Sequence, residues 1–117
     1  MTKKYQEIAL DISPYLSALR KEIPEVMDEF FTMSKAAQKE GALSSKTKEL
    51  IALCLGIASH CDGCIAFHMQ TLIKLGLTRR ELLEALSVAI YMGGGPSVMY
   101  GADALRAFDE MENRPLA

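Results

Sequence analysis

Two cysteines and a histidine lie close together near the middle of the chain, between Ser59 and His68. The cysteines, Cys61 and Cys64, stand in a C-x-x-C spacing, and His68 follows the second one by four residues. This spacing lets two sulfurs close a small-ring disulfide with little backbone movement, so that one cysteine can attack and the other can resolve. The stretch is therefore a candidate site for thiol–disulfide chemistry.

Helical spacing would bring these side chains together. A residue advances by about 100° around an α-helix, so Cys61, Cys64 and His68 share one narrow face if a helix begins at or before Cys61. The i, i+4 spacing puts the His68 ring within reach of the Cys64 sulfur, directly or through one water, so that the histidine can take the thiol proton. Both cysteines are expected in the first helical turn, where free N–H groups stabilise a thiolate. Asp62 adds negative charge that slightly opposes thiolate formation.

Other interpretations of these residues remain open. Cysteine often packs as a small apolar side chain, and Cys54, alone in an apolar run, is expected in the core. For zinc, the cysteine pair and His68 supply three ligands and His60 could be a fourth. Structural zinc sites usually draw two ligand pairs from separate elements, however, and the chain has no second pair. His60 is otherwise expected to be a helix-end histidine.

Glu49, twelve residues before Cys61, is a further candidate. A glutamate early in a helix ordinarily complements the helix dipole. The functional interpretation is a partly buried carboxylate that relays protons to the cysteine–histidine pair. Gly56 lies on the same helical face and would let a neighbouring helix approach closely.

The remaining chain predicts an all-α bundle of about six helices joined by short turns. The expected ranges are 4–10 for a short first segment, 14 onward for the next helix, and then 24–39, 45–59, 61–75, 78–92 and 96–108. Ser44 or Ser45 should cap the helix over 45–59, and Thr78 with Glu81 forms a capping box. The helix over 45–59 is apolar on every face after Glu49, which predicts a central position or an oligomer interface. The tail from Asn113 is expected to fray.

Length and composition predict one cytoplasmic domain. The chain has 117 residues, of which 50% are hydrophobic and 24% charged, with a net charge of −2. The absence of a polybasic block argues against nucleic acid or an anionic membrane as the main partner. The longest uncharged run, Leu50 to Cys61, is shorter than the roughly 20 residues that span a bilayer. The N-terminus shows no signal-peptide core. In a reducing compartment a C-x-x-C pair is redox-active or metal-binding rather than structural.

The order Glu49, eleven residues, Cys61-x-x-Cys64, three residues and His68 resembles the signature of the alkylhydroperoxidase D-like proteins, in the carboxymuconolactone decarboxylase superfamily. The resemblance covers about residues 43–108, including the turn at Gly76 that precedes the capping box. The combined signature is specific, whereas C-x-x-C alone is not. Residues 1–117 are therefore expected to form a single domain of this family, with N-terminal helices over 1–42 and the core with the cysteine motif over 43–108.

This resemblance implies peroxidase-type or disulfide-reductase chemistry in an all-helical, obligate homo-oligomer, a trimer or hexamer with the site near a subunit interface. Cys64 would correspond to the peroxide-attacking cysteine and Cys61 to its resolving partner, while His68 and Glu49 would carry the proton relay. Electrons would come from an external dithiol, such as a lipoyl or thioredoxin-like carrier. The redox-active pair would work with no bound cofactor or metal.

The chain departs from the family pattern at Gly63, where well-characterised peroxidase members carry a histidine. A relay group is missing there, which argues against vigorous peroxidase activity. The decarboxylase branch generally lacks the cysteine pair, so its presence argues against lactone decarboxylation. The sequence thus predicts a thiol-dependent oxidoreductase acting on a hydroperoxide or a disulfide. The alternative is a non-enzymatic redox-sensing or assembly protein in which the pair is a switch.

Overall fold

Six α-helices make up the fold of residues 2–113, which are the residues that the computed structural model describes. The helices are α1 (Tyr5–Glu22), α2 (Pro24–Gln38), α3 (Ser45–Ala58), α4 (Asp62–Lys74), α5 (Arg79–Gly93) and α6 (Gly95–Asn113). No strand occurs within those residues, which confirms the all-α prediction. The expected frayed tail falls almost entirely on residues 114–117, outside the described part, although Asn113 itself still belongs to α6.

The first helix corrects the prediction of two separate helices. α1 runs unbroken through Pro14, which lies in its interior. Proline lacks the N–H that the Leu10 carbonyl would accept, but Leu10 is exposed, so water can satisfy that carbonyl. The Ser13 hydroxyl does not cap a helix start and instead donates to the Ala9 carbonyl at 2.7 Å. Glu110, which is distant in sequence, caps the start of α1, because its carboxylate accepts a hydrogen bond from the backbone N–H of Tyr5.

The second helix has nearly the predicted bounds, but its apolar stripe is not covered. None of its residues is buried, and Val26, Phe30 and Met33 are each more than half exposed. A stripe of apolar residues at helical spacing indicates a face that favours burial, but it does not identify the partner. Within residues 2–113, that partner is absent.

The core lies around α4, which packs against α1, α3 and α6. The largest fully buried apolar side chains are Tyr5, Leu53, Ile57, Ile65, Met69, Leu72 and Leu82. The all-apolar helix α3 is buried on one side through Leu53 and Ile57, while Ile51 and Leu55 stay exposed on the other. It is therefore not surrounded within one chain, and its place in an oligomer interface stays a prediction.

The turn from α4 to α5 forms as predicted. Gly76 takes a left-handed conformation with φ of 81°, which glycine adopts without steric cost. Thr78 and Glu81 then form the reciprocal capping box, each side chain accepting the backbone N–H of the other residue. The Lys46 ammonium on α3 lies 3.0 Å from the Glu81 carboxylate, and these contacts, with the Thr78 backbone first, lower the pKa of Glu81. None of the described helices is long and apolar enough to cross a membrane.

Candidate active site

The loop between α3 and α4 turns the chain sharply in front of the cysteine pair. The backbone N–H of Cys61 donates to the Gly56 carbonyl at 2.9 Å, and that of His60 donates to the Ile57 carbonyl at 3.1 Å. His60 has a φ of 58°, the left-handed conformation that commonly ends helices. Its ring stacks on Tyr100 of α6, with centroids 4.8 Å apart. His60 thus lies at a helix end, as the sequence predicted.

Cys61 lies one position outside the helix, which corrects the expectation that both cysteines belong to its first turn. It is the N-cap of α4, and its sulfur accepts the backbone N–H of Cys64 at 3.1 Å. Cys64 is the third helical residue, as expected. An N-cap side chain satisfies an N–H group that has no partner within the helix. The same N–H group stabilises negative charge on the Cys61 sulfur when the pair is reduced.

The two sulfurs are joined in a Cys61–Cys64 disulfide, with Cα atoms 5.2 Å apart. This separation lies in the ordinary range for disulfides. The structure therefore confirms that the C-x-x-C spacing brings the sulfurs together. One sulfur comes from the N-cap and the other from the first helical turn of α4.

Gly56 explains how α3 comes so close to the cysteine pair. A Cβ atom added at Gly56 would lie 2.9 Å from the Cβ of Cys64, whereas one added at Gly63 would meet no atom within 4 Å. The close approach of a neighbouring helix that Gly56 predicted is thus present, and the neighbour is α4. Gly63 is not required by packing, so its place in the motif leaves room for a side chain.

Glu49 and His68 meet across the α3–α4 pair. Nδ1 of His68 lies 2.6 Å from a carboxylate oxygen of Glu49, and the two side chains are 31% and 13% exposed. A carboxylate at Nδ1 favours the tautomer that carries its proton there. That tautomer leaves Nε2 able to accept a proton. Within residues 2–113 no hydrogen bond joins His68 to Cys64, so the direct contact allowed by their spacing is not made in the disulfide form.

Asp62, between the two cysteines, is held by side chains that the sequence did not single out. The Tyr5 hydroxyl donates to its carboxylate at 2.8 Å, and the Lys3 ammonium donates to the same oxygen at 3.1 Å. Lys3 also donates to Asp103 of α6 at 2.8 Å. Burial, reinforced by Asp62, raises the pKa of Tyr5 far above its ordinary value, which keeps the hydroxyl protonated as a donor.

Cys54 has a different environment from the cysteine pair. It is partly buried against the core, and its thiol lies 3.7 Å from the Ala85 carbonyl. Burial raises the pKa of the Cys54 thiol, which disfavours the reactive thiolate. Cys54 is therefore a packing residue, as its apolar surroundings in the sequence predicted.

No metal site accompanies these residues. In the described range, no group of three or more histidine, cysteine and carboxylate side chains is placed to hold a metal ion. His60 stacks on Tyr100, His68 pairs with Glu49, and the two sulfurs bind each other. The zinc interpretation thus finds no ligand set in this arrangement.

Comparison with known proteins places this fold and motif in a family. The family model described as the carboxymuconolactone decarboxylase family matches residues 24–107. The chain belongs to the carboxymuconolactone decarboxylase family. The match covers α2 to α5 and most of α6, and it includes Glu49, both cysteines of the pair and His68.

Solved structures of other family members share the fold. A carboxymuconolactone decarboxylase family protein from Legionella pneumophila, in its apo form, superposes with a TM-score of 0.90 at 56% identity, over 93% of this chain and 97% of that one. A family member from Thermotoga maritima, with a suggested part in an antioxidative response, gives a TM-score of 0.69 at 30% identity, over 74% of this chain and 89% of that one. An uncharacterised Cupriavidus necator protein is 37% identical over 95% of this chain and 98% of its own length.

The contact between Gly56 and Cys64 generates a stability prediction. Gly56→Ala should lower the free energy of unfolding by at least about 1 kcal/mol, because the new methyl group meets a Cβ atom that cannot move without shifting α4. Gly63→Ala is the matched control and should not destabilise the protein, since nothing lies near that position. Urea unfolding of both variants with the disulfide intact measures the difference. Equal or greater stability of Gly56→Ala compared with Gly63→Ala would contradict the packing described here.

Proposed function

We propose that this protein is a thiol-dependent oxidoreductase that reduces hydroperoxides through its Cys61–Cys64 pair. The observation that carries the proposal is the hydrogen bond between Glu49 and His68, at 2.6 Å. His68 lies four residues after Cys64 on α4, and Cys64 forms a disulfide with Cys61. A carboxylate that orients a histidine beside a thiol is the arrangement used to activate a nucleophilic cysteine.

The proposed reaction begins with reduced Cys64. His68, oriented by Glu49, takes the Cys64 proton directly or through one water, and the thiolate attacks the terminal oxygen of a hydroperoxide. The O–O bond breaks, an alcohol leaves, and Cys64 becomes a sulfenic acid. The Cys61 thiol then attacks the Cys64 sulfur and displaces water, which gives the disulfide seen in the structure.

An external dithiol must return the pair to its reduced form, and we propose a lipoyl or thioredoxin-like carrier. Its thiolate would attack Cys64, and Cys61 would leave as a thiolate. The N-cap position of Cys61 suits this role, because the Cys64 N–H already points at its sulfur and a stabilised thiolate leaves faster. The net reaction consumes one hydroperoxide and one dithiol, and it yields an alcohol, water and a disulfide.

We also propose that the active protein is a homo-oligomer, a trimer or hexamer. Exposed apolar side chains recur on several helices, and contiguous apolar patches on a soluble protein mark interaction sites. Those on α2, α3 and α5 include Val26, Phe30, Met33, Ile51, Leu55, Val88, Tyr91 and Met92. Association through the outer side of α3 would cover Ile51 and Leu55, which lie on the same helix as Glu49.

Replacing each cysteine of the pair should affect hydroperoxide reduction in a different way. With a small organic hydroperoxide and dihydrolipoamide as the donor, Cys64→Ser should lose at least about 100-fold in turnover, because the attacking thiolate is gone. Cys61→Ser should consume about one equivalent of hydroperoxide and stop with a sulfenic acid on Cys64, which a dimedone adduct detected by mass spectrometry would reveal.

Cys54→Ala is the matched control for these variants and should keep the wild-type rate, since Cys54 lies outside the pair. Sustained turnover by Cys64→Ser would exclude the proposed roles. Stoichiometric disulfide formation in the wild type, with no turnover for any dithiol donor, would favour a redox switch over an enzyme.

The Glu49–His68 pair predicts a pH-dependent loss of rate. Glu49→Gln should reduce turnover by roughly 10-fold to 100-fold at pH 7, as expected for the partner that orients a histidine. The loss should shrink toward pH 9, because a thiolate that forms without a base no longer needs the relay. Glu84→Gln, at an exposed position of α5, is the control and should leave the rate unchanged. A loss that is equal at both pH values would instead indicate a purely structural role for Glu49.

Gly63 allows a gain-of-function test. Gly63→His should raise the rate of hydroperoxide reduction by about tenfold or more, because it adds a proton-relay group next to Cys64 at a position with free space around it. Gly63→Ala controls for the change in backbone freedom. Single-turnover kinetics with a defined hydroperoxide provides the measurement. If Gly63→His reacts no faster than Gly63→Ala, the missing relay group does not limit this enzyme.

A further inference from the structure

A network of charges connects the N-terminus of the chain to the dipeptide between the two cysteines. Two residues make the connection, Lys3 and Tyr5, and together they are called the N-terminal latch. Both donate to the same carboxylate oxygen of Asp62, Lys3 at 3.1 Å and Tyr5 at 2.8 Å. The latch lies 57 to 59 residues away from Asp62 along the sequence, so only the fold brings them together.

The latch combines a buried residue with a partly exposed one, since the Lys3 side chain is 36% exposed. Tyr5 is fully buried, and its backbone N–H donates to Glu110 at 2.8 Å, which fixes the start of α1 against α6. Lys3 is bound on three sides: it donates to Asp62 and to Asp103, and its ammonium lies 4.8 Å from the centre of the Tyr100 ring. A lysine held by this many partners places its charge at a defined position.

The carboxylate that the latch binds belongs to the residue that directly follows Cys61 in the sequence. Asp62 begins α4, and a carboxylate near a thiol disfavours further negative charge there. Within residues 2–113, Lys3 is the charged group that pairs with Asp62, and it links Asp62 to Asp103 of α6, which Arg106 approaches at 3.6 Å. On the α3 side, the site faces the Glu49–His68 pair. Lys3 is therefore the cation that directly offsets Asp62.

We infer that the N-terminal latch sets the redox equilibrium of the Cys61–Cys64 pair by neutralising Asp62, which makes Lys3 and Tyr5 positioning residues for the site. A thiolate formed in the reduced pair carries charge, whereas the disulfide carries none, so a nearby charge acts on the reduced form through that thiolate. With Lys3 in place, the dithiol is favoured. Without Lys3, the Asp62 carboxylate destabilises the thiolate, and the pair is oxidised more easily.

This inference rests on the proposed function only in requiring that the pair is redox-active. The test uses the full-length protein and glutathione buffers, in which protein dithiol and glutathione disulfide give protein disulfide and two reduced glutathione molecules. The equilibrium constant for this exchange is measured at pH 7.5. Free thiols are alkylated, and the reduced and oxidised forms of the protein are then quantified by mass spectrometry. No hydroperoxide is needed, so failure of peroxide turnover does not affect the result.

Opposite shifts are expected for the two members of the ion pair. Lys3→Met should raise the equilibrium constant for oxidation by about fivefold, and Asp62→Asn should lower it by a similar factor, in keeping with one charge near the site at partial solvent screening. Tyr5→Phe, which removes only the hydroxyl, should shift it in the same direction as Lys3→Met. Lys3→Arg should restore the wild-type constant. These differences should shrink in 0.5 M salt.

Lys4→Met is the matched control, because it removes one positive charge at the residue next to Lys3. The Lys4 side chain is exposed and makes no ion pair within residues 2–113. It should leave the constant within about twofold of the wild type, as expected for a screened surface charge. Circular dichroism and urea unfolding establish that each variant is folded. Shifts in the same direction for Lys3→Met and Asp62→Asn, or a Lys3→Met constant equal to that of Lys4→Met, would overturn the inference.

Discussion

The close packing of α3 against α4 is the constraint on which the site depends. Three contacts follow one another along this helix pair: the Cys61 N–H on the Gly56 carbonyl, Gly56 against the Cβ of Cys64, and Glu49 against His68. Because helices of fixed pitch pack as rigid rods, the contact at Gly56 also determines where the carboxylate and the imidazole meet. A glycine that carries no chemistry thereby positions the groups that do.

Electrostatics divides the site into two parts. On one side, the carboxylate of Glu49 and the imidazole of His68 form a hydrogen-bonded pair. On the other side, the N-cap geometry directs an N–H toward Cys61, and Lys3 with Tyr5 binds the carboxylate of Asp62. Helix α3 thus supplies the carboxylate that meets His68, whereas the N-terminus and α1 supply the donors that bind Asp62. Such an arrangement suits chemistry in which thiolates form, react and leave.

The sequence predicted those features that depend on local pattern. Helix punctuation located α3 to α6 to within a few residues, and the Thr78 capping box formed as expected. The C-x-x-C spacing predicted that Cys61 and Cys64 can form a disulfide. Spacing left Glu49 a weaker candidate, and the family resemblance gave it a role beside His68. The family match then confirmed the resemblance on which the roles of these residues were based.

Features that depend on tertiary context could not be predicted. Pro14 suggested a new helix, but α1 continues through it, at a point where Leu10, the residue that loses its hydrogen-bond donor, is exposed to solvent. The latch was missed because Lys3 and Asp62 are distant in sequence, and an N-terminal lysine carries no local signal of its partner. Likewise, α2 shows a clear apolar stripe, yet only the fold reveals that the described chain leaves it uncovered.

The most direct test of the central claim is a single-turnover experiment on the fully reduced protein. One equivalent of a small organic hydroperoxide is added, the reaction is quenched in acid at intervals, and the cysteines are mapped by mass spectrometry. A sulfenic acid should appear on Cys64 first and then be replaced by the Cys61–Cys64 disulfide, with one alcohol released per protein chain. Oxidation that begins on Cys61, or that leaves the pair reduced while hydroperoxide persists, would contradict this claim.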